Sequence, residues 1–363
     1  MTQRFPSAPA QRGARVEFRS VTKRFSDRSS DGGRWIAGVE GLTLEVEPGE
    51  ICVLVGPSGC GKTTTLRMVN RLIEPTSGQI LLDGCDVATL DLVALRRRIG
   101  YVIQQIGLFP HQTVGENVAT VPRLLGWDRK RIEARVDELI SLVGLDPARV
   151  RGAYPAQLSG GERQRIGVAR AMAAEPPVLL MDEPFGAVDP IVRSRLQDEF
   201  LRIQRALSTT VIFVTHDIDE AIKIGTRVAV MQEGGRLVQY SRPMDLLLRP
   251  ANEYVARFVG SDRVLKSLAL VSVDDLAIDH RARPPATAHR VARDTTALEA
   301  LGLLVATDDH VAAVVDDRGE TIGVLRLDAF TASLGAHLDA AAARSSPDSP
   351  AAVARERRQS GDA

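Results

Sequence analysis

No stretch of this 363-residue sequence approaches the run of about 18 apolar residues that a bilayer-spanning helix requires, so no part of it is expected to cross a membrane. Residues Met1 to Arg15 are basic but lack the apolar segment of a secretory leader. Cysteine is scarce. Cys52, Cys60 and Cys85 form no CxxC pair, which suggests reduced thiols rather than a disulfide framework. Excess charge is missing too: 46 Lys+Arg balance 46 Asp+Glu, which argues against a general nucleic-acid binder. Aromatic residues are only 4% of the chain, yet 44% of it is hydrophobic, ample for a core and for more than one domain.

What the sequence does contain is chemically pointed. Gly56-Pro57-Ser58-Gly59-Cys60-Gly61-Lys62-Thr63 matches G-x-x-x-x-G-K-[ST] without substitution. The apolar run Ile51 to Val55 precedes it as a strand, and Thr64 to Leu72 follows with helical composition. A strand, a glycine turn and a helix N-terminus form an anion cradle, whose alternative is a glycine-rich turn with no ligand. Lys62 is placed to reach the β and γ oxygens of a nucleoside triphosphate, and the Thr63 hydroxyl to ligate Mg2+. A second buried-type strand, Val178 to Glu183, lies between Pro176-Pro177 and Pro184 and ends in two carboxylates. Asp182 would hold Mg2+, and Glu183 would orient and deprotonate an attacking water. The plain alternative is an acidic pair opening an exposed turn.

Leu158-Ser159-Gly160-Gly161-Glu162 opens a helical segment reaching Ala174, giving another helix N-terminus with a hydroxyl and two glycines. With these motifs the sequence, from Val16 to about Gly235, resembles the ATP-binding-cassette (ABC) ATPase family. The resemblance implies an α/β P-loop NTPase cassette: a RecA-like core, an antiparallel β subdomain, and a helical subdomain at about 105–157, where Arg131 to Val143 carries a 3.6-residue apolar stripe. It implies ATP and Mg2+ as cofactors and a homodimer of cassettes. In that dimer the phosphate loop, through Thr64, grips the nucleotide, and the partner's Ser159, Gly160, Gly161 and Glu162 cap it. By the same resemblance Gln104 senses Mg2+ and the γ-phosphate, His216 is the switch histidine, Asp189 lies in the loop that communicates across the dimer, and Phe25 stacks on adenine, with Trp35 as the other candidate. Ile106 to His111 would line the socket for a coupling helix of a membrane subunit.

Membrane helices, a second cassette and sustained heptads between Thr65 and Leu158 are all missing, which leaves a stand-alone importer ATPase. Gly56 to Glu74 with Pro75-Thr76-Ser77-Gly78, the double glutamine Gln104-Gln105, Phe185 to Pro190, and Phe258 to Arg263 look like the cassettes of quaternary-ammonium osmoprotectant importers. Their cargoes are glycine betaine, choline, carnitine or proline betaine. Amino acids or polyamines are the alternative cargoes, and a non-transport cassette ATPase is the alternative class. The implied partners are integral-membrane permease subunits and, indirectly, an extracytoplasmic solute-binding protein, with the chain at the cytoplasmic face of the membrane. The expected organisation is a flexible arm (1–15), the cassette (16–262), a linker with one degenerate α+β domain resembling a cystathionine-β-synthase-type (CBS) repeat (263–338), and a disordered tail (339–363). Arg326 and Ala329 replace that repeat's nucleotide-binding Thr and Asp, so a dimer brace or ionic-strength sensor is expected there in place of adenosine binding.

Overall fold

Why the central strands lie where they do follows from their composition. Ile51–Val55 and Thr210–Thr215 are buried at every position, as strands of a parallel sheet covered on both faces must be. The computed structural model describes residues 13–26, 35–103, 107–186, 188–285 and 287–344. Its chain divides into two compact units, Met1–Tyr240 and Ser241–Ala363, ahead of the boundary expected at residue 262.

In the first unit the strands are β1 (Val16–Ser26), β2 (Trp35–Val46), β3 (Ile51–Val55), β4 (Ser77–Leu82), β5 (Cys85–Asp86), β6 (Ile99–Val102), β7 (Val178–Asp182), β8 (Thr210–Thr215), β9 (Arg227–Gln232) and β10 (Arg236–Ser241). Six of them form a sheet in the order β10-β9-β3-β8-β7-β6, with β9, β3, β8, β7 and β6 parallel. β1, β2, β4 and β5 make a separate antiparallel sheet, order β2-β1-β4-β5. Side chains from both sheets, among them Phe18, Leu42, Leu54 and Val214, share one buried core with Leu66 of the helix after β3. Because β3, β8 and β7 are parallel neighbours, the turns after them emerge along one edge, where such sheets bind ligands.

The helix after β3 spans Lys62–Val69, two residues earlier than expected at its start and three at its end. Gly61, in the left-handed region, caps its start; Asn70 caps its end, and Arg71 turns to φ 48. Within the expected helical stretch, Arg129–Leu142 buries Ile132, Val136, Leu139 and Ile140, the predicted stripe. The arm reading is corrected at its last residues. Gly13 N–H donates to Ser208 O at 2.9 Å, Ala14 is buried, and Arg15 pairs with Glu45 and Glu47, each at 3.0 Å. Residues 1–12 lie outside the described residues.

The second unit opens with helices Pro243–Leu248, Glu253–Val259 and Arg263–Leu268. It then places β11 (His289–Ala292), the helix Ala297–Ala306, β12 (Val311–Val315), β13 (Thr321–Arg326) and the helix Leu327–Arg344 in the strand and helix order read from the sequence. β11 and β12 are parallel, β12 and β13 antiparallel. Asp316 Oδ1 shapes the hairpin by accepting from Arg318 N and Glu320 N, both at 2.9 Å. Val291, Ala300, Leu304, Val314, Leu325 and Phe330 form the unit's own core. The last helix runs six residues into the expected tail, since Ala-rich sequence is the strongest helix former. Residues 345–363 lie outside the described residues.

Candidate active site

The glycine turn after β3 is one that side chains would break. Gly61 sits at φ +95, and a Cβ there would lie 2.1 Å from Gly38 O; at Gly56 it would lie 2.3 Å from Met231 O. Glycine therefore lets the loop nest under β2 and β9. Ser58 and Gly59 at the tip are exposed, Pro57 and Thr64 half-buried. Lys62 folds inward, only 6% exposed, and its Nζ donates to Gly56 O at 2.7 Å and Pro57 O at 2.8 Å, with Cys60 Sγ at 3.7 Å. No carboxylate stands within ion-pair distance of it among the described residues. A buried cation held only by carbonyls and a thiol is costly, and a phosphate at this helix N-terminus is the group that fits it. Burial pushes the Cys60 thiol up, against the pull of the neighbouring Lys62 charge.

Beside this loop the end of β7 delivers both carboxylates. The Thr63 hydroxyl donates to Asp182 Oδ1 at 2.9 Å. Asp182 is 2% exposed; burial raises its carboxyl above the usual range, Glu183's charge adds to the rise, and the Thr63 hydroxyl opposes it. A hydroxyl and a carboxylate are hard oxygen donors, a set that suits Mg2+ sharing its remaining positions with phosphate and water. Glu183 leaves the strand in the left-handed region, φ 49, a strained setting for a residue with a Cβ. Its contacts hold it there. Its N–H donates to Val214 O at 3.0 Å, its carbonyl accepts from Gln164 Nε2 at 3.1 Å and from Gly186 N at 3.2 Å, and its Oε1 lies 3.2 Å from Nδ1 of His216 just after β8. Both members of that pair keep an open side, 23% exposed for Glu183 and 63% for His216. Lys62, Thr63, Asp182, Glu183 and His216 are thus gathered at one sheet edge.

The remaining residues are placed apart from that cluster or beside it. Ser159 caps the helix Gly160–Met172: its Oγ accepts from Glu162 N at 3.2 Å, and Glu162 Oε2 accepts from Ser159 N at 2.9 Å. Arg149 grips the Glu162 carboxylate, and its hydrogen bond leads the causes that hold that carboxyl down to about 2. A Cβ on Gly160 or Gly161 would meet nothing within 4 Å, so this helix end faces open space. None of Ser159, Gly160, Gly161 and Glu162 bonds to the phosphate loop of its own chain among the described residues. Asp189 caps the helix Pro190–Leu207 through Val192 N at 3.1 Å. Phe25 on β1 is 40% exposed and packs over Gly38, whose carbonyl closes on Gly61, so its ring borders the loop. Phe109 is also exposed and Leu108 half-buried; fully buried Asn117 pins Phe109 by accepting from its N–H at 2.8 Å. Gln104 and the Trp35 side chain lie outside the described residues. Sequence reasoning assigned no role to Arg149 or Gly38, which act through contacts between separate segments and carry no local pattern.

Comparison with known proteins agrees with this geometry. The family model described as ABC transporter matches residues 39–186. Osmoprotectant import ATP-binding protein OsmV of Salmonella typhimurium is 51% identical over 312 residues, 86% of this chain and 79% of that protein. Glycine betaine uptake system ATP-binding protein YehX of Escherichia coli is 46% identical over 311 residues, 85% of this chain and 97% of that one. Among solved structures, the dimeric post-hydrolysis state of the ATP-binding cassette MJ0796 bound to ADP and Pi superposes with a TM-score of 0.57 at 31% identity, covering 63% of this chain and 98% of that one. A phosphate loop completed by a buried lysine, an acidic strand end and this degree of likeness over most of the chain lead to one conclusion: the chain belongs to the ABC transporter family and is an ATP-binding-cassette ATPase.

Proposed function

We propose that this chain hydrolyses ATP to power import of a quaternary-ammonium osmoprotectant, such as glycine betaine, choline, carnitine or proline betaine, through separate membrane permease subunits. The observation that carries the chemistry is the Glu183–His216 contact at 3.2 Å beside the Thr63–Asp182 pair. Glu183 takes the proton from a water as its oxygen attacks the γ-phosphorus, and ADP leaves with the bridging oxygen. His216 steadies Glu183 and faces the transferring phosphoryl group with its exposed edge. Lys62 leaves the loop carbonyls for the β and γ oxygens, and Phe25 supplies a face for adenine. Mg2+, held by Thr63 and Asp182 with Gln104 as the expected third contact, would neutralise charge building on the phosphate oxygens. The outward-facing Ser159–Gly161 helix end and the dimeric cassette of similar fold support a homodimer in which each signature closes on the partner's nucleotide.

The cargo rests on likeness to the osmoprotectant and glycine betaine systems named above. In this reading the cassette pair docks on a permease at the cytoplasmic face of the membrane and serves an extracytoplasmic binding protein indirectly. Among the described residues no helix is long and apolar enough to cross a membrane, which fits the need for separate permease subunits. The β11-to-Leu327–Arg344 arrangement supports a single CBS-like repeat that pairs with its twin across the dimer. Exposed Arg326 there fits a brace or ionic-strength sensor better than an adenosine site. Uptake of radiolabelled glycine betaine and choline into cells lacking the gene, with and without its return, tests the proposal. Uptake restored by the native chain and by no Lys62→Ala chain is expected; uptake of both solutes indifferent to the gene contradicts the cargo assignment.

A further inference from the structure

His216 is 63% exposed at its side chain, and its only polar contact among the described residues is Glu183. Packing therefore fixes little of its aim, which depends on the backbone turn that carries it. That turn is built from buried polar groups. The Thr215 hydroxyl, 2% exposed, accepts from Asp217 N at 3.0 Å, and Asp217 Oδ1 caps the helix Ile218–Ile224 by accepting from Asp219 N at 2.9 Å. Behind the turn lies Glu220, 9% exposed: its carboxylate accepts from Gln197 Nε2 at 3.0 Å, and its N–H donates to Asp217 Oδ1 at 3.3 Å. Burial raises its carboxyl, and the Thr215 hydroxyl opposes that rise.

Gln197 belongs to the helix that starts at Asp189. One turn earlier on the same face, Arg193 Nη2 donates to Val188 O at 3.0 Å, beside Asp189. A second clamp joins the two helices at the surface, where Lys223 Nζ reaches Asp198 Oδ1 at 2.8 Å and Ser194 Oγ at 3.0 Å. A carboxylate buried between two helices is a poor choice for stability alone, since an apolar pair of similar volume is commonly as good or better. What it gives is directional geometry.

We propose that Glu220 is a positioning residue for ATP hydrolysis: held to Asp217 through its N–H and to Gln197 through its carboxylate, it locks the turn that aims His216 at Glu183 to the helix that follows the Asp189 loop. Any shift of that loop then reaches His216 through Gln197 and Glu220. In this role Glu220 acts only through His216. The inference rests on the role proposed for His216.

The test is steady-state and single-turnover ATP hydrolysis by the full chain with Mg–ATP. The variants are Glu220→Ala, Thr215→Val, Glu220→Gln and His216→Ala, and each of the first two combined with His216→Ala. Glu220→Ala and Thr215→Val are expected to lower kcat by about tenfold or more while the KM for ATP stays within about threefold. Glu220→Gln, which still accepts from Gln197, restores most of the rate. In the His216→Ala chain the added substitutions cost less than about twofold, because they act on a group already removed. Thr215→Val keeps shape and volume, so the test stays readable if Glu220→Ala folds poorly. A crippled His216→Ala beside fully active Glu220→Ala and Thr215→Val would overturn the inference alone, as would losses that multiply in the double variants. Full turnover by His216→Ala would remove the histidine's role and the inference with it.

Discussion

Thr63 and Asp182, 119 positions apart, are joined by a 2.9 Å hydrogen bond between the first turn of the helix Lys62–Val69 and the end of β7. The contact ties the phosphate loop to the acidic strand and sets two oxygen donors side by side. Asp182→Asn keeps a carbonyl oxygen to accept from Thr63 but removes the charge. It is expected to raise the Mg2+ concentration needed for half-maximal hydrolysis by about tenfold or more, measured as phosphate release across a Mg2+ titration.

The same variant has a pH signature. Burial raises the folded-state pKa of Asp182 above its ordinary 3.8, so the ionised form costs stability once pH climbs through the raised value. Below 3.8 both folded and unfolded states carry the proton and the cost vanishes. Asp182→Asn should therefore melt higher than the native chain at neutral pH, with the gain shrinking as pH falls toward 3.8, as read by thermal melts over that range.

Glu162 behaves in the opposite sense. Its carboxyl is held at about 2 against an ordinary 4.5, so the stability it contributes is complete above 4.5 and is lost as pH falls through that window. Glu162→Gln, which keeps the cap but loses the Arg149 pair, should lower the melting temperature at pH 7 and converge on the native value as acid approaches 2, with the convergence starting below 4.5.

Two glycines of one loop separate steric need from backbone strain. Gly61→Ala drives a Cβ to 2.1 Å from Gly38 O, whereas at Gly59, φ +81, the new methyl meets nothing within 4 Å. Gly59→Ala should cost about 1–2 kcal/mol from its left-handed backbone alone. Gly61→Ala should cost more and weaken ATP binding by about tenfold or more, checked by denaturant titration and a fluorescent ATP analogue.

Gly161 offers a test of pairing that leaves the isolated fold intact. Its Cβ position is open, and an arginine is a better helix former than glycine, so Gly161→Arg should fold and bind ATP within about threefold of the native chain. If the helix end closes on a partner's nucleotide, that side chain blocks it. Turnover and ATP-dependent dimer mass in sedimentation should both be lost.

Much of this was legible locally. Ile51–Val55 and the glycine pattern fixed the cradle, and the Pro-bounded run at Val178 located both carboxylates. Ser159 with Glu162 three residues on is a capping box readable from spacing alone. Other features had no local signal. The early stop at Val69 depends on Arg71 entering the left-handed region, and composition favoured helix through Leu72. Gly13 looked like part of a loose arm, yet its Cβ would lie 2.4 Å from Thr210 Oγ1, a close approach set by residues nearly two hundred positions away. The Gln197–Glu220 bridge is similarly a matter of how two helices meet, 23 positions apart in sequence.

The most direct measurement is phosphate release by Glu183→Gln under saturating Mg–ATP, with bound nucleotide assayed in parallel. A fall in turnover of about 10²- to 10⁴-fold with ATP retained is the expected result. Hydrolysis at the native rate would contradict the assignment of Glu183 and His216 as the pair that activates water.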